Sequence, residues 1–194
     1  MDYQYYLKVF LFGTENFDNF IYNDSANFFM EKGLHDFLVE WTVNFVRNKD
    51  VISKKIEKIE HEKNGFDLYV KYRDREQYFI ISSNIDKIDS IIEKIKDVAL
   101  SNIFYFFIVT LNSKHNLDAL LKNWNKLSNF KMLSIIFLNP FSGLDKKWII
   151  SPHVHNKICD KNSLETGLRS IFDTVEQIEE EKLLQLIGQD SQAK

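Results

Sequence analysis

Apolar positions along this chain recur at two different periods, and the switches between them outline its elements. Tyr3 to Phe12 reads as a strand with aromatic residues on both faces. A polar-aromatic connection follows over 16–25, and Asp36 is placed to cap a helix to about Asn48. Leu34, Leu38, Trp41 and Phe45 fall along one face of that helix. Val51 to Glu60 alternates loosely and predicts a strand. Gly65 to Asn84, GFDLYVKYRDREQYFIISSN, then has the form of a hairpin. One strand is headed by Asp67, the turn is Arg73-Asp74-Arg75-Glu76, and an apolar strand from Tyr78 to Ile81 ends in Ser82-Ser83-Asn84.

The period changes again at Asp86, which is placed to cap a helix to about Leu100 with Ile88, Ile91, Ile92, Ile95 and Val98 on its buried stripe. Ile103 to Leu111 is almost continuously β-branched or aromatic, as in a strand covered on both faces. A helix over Leu117 to Leu127, a buried strand over Met132 to Leu138 and a short strand over Trp148 to Ser151, ended by Pro152, come next. Asn162 with Glu165 forms a capping box for a last helix carrying Leu164, Leu168, Ile171, Val175 and Ile178 in one stripe, with Gly188 as its stop. This alternation predicts an α/β protein with a mixed central sheet and helices on both faces. It forms one domain over 1–188 and a loose tail over 189–194.

Composition narrows the class. With 194 residues, 44% hydrophobic and 27% charged, the chain has globular character and room for one well-buried core. A net charge of −3 argues against a broad electrostatic footprint for nucleic acid. Cys159 is the only cysteine, so no intrachain disulfide forms and a reducing, cytoplasmic compartment is expected. The N-terminal MDYQYYLKVFLFG lacks the basic start and small-residue cleavage site of a signal peptide. No apolar run approaches a membrane span.

The order helix, three-strand meander, helix, strand, helix, strand over about 35–140 resembles the core of restriction-endonuclease-like folds, including archaeal Holliday-junction resolvases. The resemblance implies a metal site. Asp67 matches the strand aspartate, and Glu40 matches a helix carboxylate that helps hold Mg²⁺. The remaining carboxylate and the lysine of such sites would fall at Ser82 and Asn84, which are neutral. The expectation is therefore no catalytic residue and no cofactor. Were the chain a nuclease, Glu40, Asp67 and Lys71, which shares Asp67's face, would serve it with Mg²⁺.

A second cluster lies in Lys146 to Ile178. His153 and His155 would share a face if extended, and with Cys159 they are three candidate zinc ligands, one short of a structural site. The alternative is a polar turn with no metal. Through Trp148, Pro152, His155, Asp160, Gly167 and Leu168, this block resembles the archaeal TATA-binding-protein-interacting protein family. That resemblance implies a transcription regulator that binds TATA-binding protein instead of cutting DNA.

An acidic stretch with Asp173, Glu176, Glu179, Glu180 and Glu181, followed by Leu183 and Leu184, is the expected contact with such a basic partner. A solvated helix face packed on its own core is the ordinary alternative. A DNA-binding reading rests on Lys54, Lys55, Lys58, Lys63, Arg73 and Arg75, but acidic residues interleave them. A homodimer, as in nuclease relatives, is the expected assembly if one forms.

Overall fold

The hairpin at the front of the sheet is set by Asn64 and Gly65, whose φ values of 55° and 77° belong to the left-handed region that suits a tight two-residue turn. In the computed structural model, residues 17–99, 104–140, 142 and 147–178 are described, with side chains from Gly33 on except those of 99, 161 and 162. The turn joins β1 (Ile56–Lys63) to β2 (Phe66–Tyr72), and β3 (Glu76–Ile81) completes an antiparallel meander. β4 (Phe104–Leu111) and β5 (Leu133–Leu138) then add parallel to β3, and β6 (Lys147–Ile150) returns antiparallel at the far edge. Among the described residues the sheet is six-stranded, mixed and open, in the order β1-β2-β3-β4-β5-β6.

The helices divide unequally between its faces. α1 (Phe17–Asp50) covers one face, where Leu38, Val43 and Val46 pack on Leu68, Val70, Phe79, Val109 and Ile136. The other face takes α2 (Ile88–Ala99), α3 (Lys114–Lys122), the single turn α4 (Trp124–Leu127), α5 (Pro152–Ile158) and α6 (Lys161–Phe172). There Ile88, Ile92, Leu117, Leu127, Leu168 and Phe172 close over Phe66, Tyr78, Phe106, Ile108 and Ile135. β4 feeds both cores by alternation, with Phe106 and Ile108 to one side and Val109 and Leu111 to the other.

Several boundaries differ from the sequence expectation, each for a local reason. The predicted strand over 3–12 lies outside the described residues. α1 begins at Phe17, so most of the expected connection over 16–25 is helical and Asp36 lies inside the helix instead of capping it. The helix is interrupted at Gly33 (φ 80°, ψ 163°), a conformation that costs glycine little. β1 begins at Ile56, not Val51, because the Asp50 carboxylate gathers the Ser53 hydroxyl (2.5 Å) and the N–H groups of Lys55 (2.9 Å) and Ile56 (2.8 Å) into a turn.

At the other end of the chain, Pro152 opens a helix instead of merely ending a strand; it stands at the first turn, where its missing N–H is no loss. α6 is capped by Asp160, which accepts from the Ser163 N–H at 2.9 Å, so Asn162 is not the cap. That helix stops at Phe172 and does not continue towards Gly188. Its buried stripe is Leu168 and Phe172, while Ile171 is 40% exposed.

Candidate functional site

The parallel strands β3, β4 and β5 all exit at one end of the sheet, where the antiparallel β2 begins beside the end of β3. Over β3 the chain leaves through Ser82-Ser83-Asn84. Asp67 stands next to it at the start of β2, and its Oδ2 accepts the Ile81 N–H at 2.7 Å. The second oxygen, Oδ1, lies 3.6 Å from Nε2 of His35 on α1. The Ser82 hydroxyl donates to the Asn84 carbonyl at 2.5 Å, so the turn after β3 closes on itself.

The loop that follows is held by Asn116. Its buried amide accepts the Ile85 N–H (3.1 Å) and donates to the carbonyls of Ser83 and Leu111 (2.9 Å each). The Ser113 hydroxyl, capping α3, accepts from the Asn116 N–H at 3.3 Å. Asp86 and His115 form an exposed pair at 2.5 Å on the rim.

Over β4 and β5 the same end of the sheet is filled by the chain itself. Asn112 is wholly buried; its Oδ1 accepts the Trp148 indole N–H at 2.7 Å, and its Nδ2 donates to the Val175 carbonyl at 2.8 Å. Its own carbonyl accepts the Ile178 N–H at 2.9 Å, and Asn139 donates to the Glu176 carbonyl at 3.1 Å. Val175 belongs to the many-helix core and Ile178 packs against the other one. Residues 175–178 therefore cross the edge of the sheet from one face to the other as a latch. Trp148 is stacked flat on Phe137 beneath it, with ring centres 4.3 Å apart.

The residues that would serve a nuclease, Glu40, Asp67 and Lys71, are not gathered. Glu40 is exposed on α1, five residues from His35 and so roughly 140° around the helix axis from it. Lys71 shares Asp67's strand face but is paired with Glu57 at 3.0 Å. Among the described residues, no three His, Cys, Asp or Glu side chains stand at metal-holding spacing. Glu76 begins β3 instead of standing in the turn, and its carboxylate lies near the Tyr69 phenol. Burial first, and then Glu76, push that phenol up to about 12.

His153 and His155 lie on α5, not on an extended segment, and two residues apart on a helix they do not share a face. Their Nδ1 atoms meet the carbonyls of Ser128 (2.8 Å) and Ser151 (2.9 Å). Cys159 is a free, half-buried thiol. Of the expected partner contact, Asp173 and Glu176 are exposed, on the turn and extended segment after α6 instead of on a helix. Glu179, Glu180, Glu181, Leu183 and Leu184 lie outside the described residues.

The residues that order this end of the molecule, Asn112, Asn116 and His35, were not singled out by sequence. The signal was the polar run Asn112-Ser113-Lys114-His115-Asn116 directly after an apolar strand, which resembles any loop. No protein-family model matches the chain, and neither does any curated protein or solved structure.

Proposed function

We propose that this chain is a catalytically silent scaffold of restriction-endonuclease-like architecture that acts by binding a protein partner, with TATA-binding protein as the candidate. The strand order supports the architecture: an antiparallel meander preceded by a helix, then two parallel strands joined through helices. The silence rests on one observation. Asp67, the carboxylate a metal would need, is engaged by the Ile81 N–H, and the neighbouring Ser82 spends its hydroxyl on the Asn84 carbonyl. Neutral oxygens hold a hard dication poorly, and neither side chain supplies a cation for a developing phosphate charge.

Asp173 and Glu176 support the partner surface. Both are exposed, Glu176 within the latch and Asp173 just before it, and they present negative charge that complements a basic partner. The residues that suggested the transcription-factor family have scaffold roles close by. Trp148 holds Asn112, Pro152 starts α5, Asp160 caps α6 and Leu168 is core.

The test pairs two assays on the intact chain. Calorimetric titration with TATA-binding protein is expected to show binding that weakens when Asp173 and Glu176 are both replaced by lysine. Incubation with duplex and branched DNA and Mg²⁺ is expected to leave both substrates whole. Metal-dependent cutting that disappears in Asp67→Ala would overturn the silent scaffold; absence of any titration signal would overturn the partner.

A further inference from the structure

Among the described residues, the face of the sheet covered by α1 is not fully closed. Between the last turns of that helix and the sheet lies an open cleft of about 130 Å³, whose wall mixes Phe45, Phe107 and Ile149 with the polar Asp50, Ser53 and Gln77. A cavity of about 150 Å³ accepts one benzene ring, so the space suits a single aromatic ring and not a fused one. Partly exposed aromatic side chains around such a cleft offer flat contact area at small entropic cost.

Two ammonium groups lie over the Phe45 ring, Lys49 from the lining of the cleft and Lys147 from beside it. Lys49 Nζ lies 4.4 Å from the centre of the Phe45 ring, and Lys147 Nζ lies 5.0 Å from it. Neither ammonium group forms an ion pair or a hydrogen bond with a described residue. One ring attracts an exposed cation only weakly and does not neutralise two. The carboxylate in the wall, Asp50, is committed to Ser53, Lys55 and Ile56. Arg75, also in the wall, is shared between the Tyr72 ring at 4.5 Å and Asp74 at 3.4 Å. Burial, and then the charge of Lys147, hold Lys49 below the usual lysine range. The cleft thus has a mixed lining and, among the described residues, more positive than negative charge at its mouth.

We infer that this cleft binds a small aromatic anion, one ring bearing one carboxylate, with the ring between Phe45 and Phe107 and the carboxylate on Lys49 and Lys147. The inference is independent of the partner surface and of Asp67, which lies at the opposite end of β2 from the cleft residue Tyr72. An anion here relieves the repulsion between the two ammonium groups and gains charge-assisted hydrogen bonds. A neutral ring of the same shape gains only the apolar contact.

Benzoate and benzamide are the probes, titrated into the intact chain by calorimetry. Lys49→Met, Lys147→Met and the distant, exposed Lys122→Met serve as variants, with circular dichroism confirming that each remains folded. Benzoate is expected to bind saturably and benzamide at least about 10-fold more weakly. Each of the first two substitutions should cost benzoate about 10-fold, the scale of one charge-assisted hydrogen bond. Lys122→Met should leave binding unchanged. Equal affinity for both probes, an equal loss in Lys122→Met, or no saturation below about 10 mM benzoate would each overturn the site.

Discussion

The two strand exits at the end of the sheet use the same side-chain chemistry to opposite ends. Over β4, the Asn112 amide is enclosed on every side and joins β6 to the segment after α6. Over β3, Asp67 and Ser82 satisfy only neighbouring backbone, and Asp67 reaches across merely to a half-exposed histidine. In open α/β sheets, ligands commonly sit just beyond the carboxyl ends of the strands. Here half of that position is occupied by the protein's own residues 175–178. The other half is polar and accessible, but it lacks a converging set of charges. Buried polarity does architectural work at one exit, and surface polarity marks the place where a nuclease-like site would stand at the other.

That contrast makes a graded forecast for stability, read by urea unfolding. Asn112→Ala should be the most damaging, at about 3 kcal/mol, because it orphans two buried groups, the Trp148 indole N–H and the Val175 carbonyl. Asn116→Ala should cost about 2 kcal/mol. It strands only the Ile85 N–H, since the Ser83 carbonyl keeps the Thr110 hydroxyl and the Leu111 carbonyl keeps the Ser113 N–H. Asp67→Ala should cost about 1 kcal/mol, because water can reach the Ile81 N–H once the half-exposed carboxylate is gone. A cost for Asp67→Ala equal to that for Asn112→Ala would erase the distinction between the two exits.

What the sequence disclosed follows the same division. β2, β3, β4, β5 and α2 were legible because their apolar residues repeat at a period the backbone imposes, and the Asp67 strand head came with them. The start of β1 was not legible, since it depends on a single carboxylate, Asp50, folding back on three donors. The latch was hidden for a related reason. Its residues Val175 and Ile178 continue the α6 stripe by spacing, yet they leave the helix because Asn112, more than sixty residues earlier, offers their backbone other partners. The neighbours of Asp67 and Lys71, His35 and Glu57, are likewise set by packing and not by interval.

The latch also has a consequence in time. A ribosome adds roughly 5–20 residues per second, so the 40 residues from Leu138 to Ile178 take about 2–8 s to emerge in order. For nearly all of that interval β2 to β5 are available to pair while the exit of β4 lacks the Val175 carbonyl that Asn112 will bind, and for about its first quarter it lacks the Trp148 indole as well. The nascent sheet thus waits with an unsealed end and with Leu168, Phe172 and Val175 missing from its larger core. Chaperones that hold exposed apolar surface have their opportunity in those seconds, and it closes when Ile178 reaches Asn112.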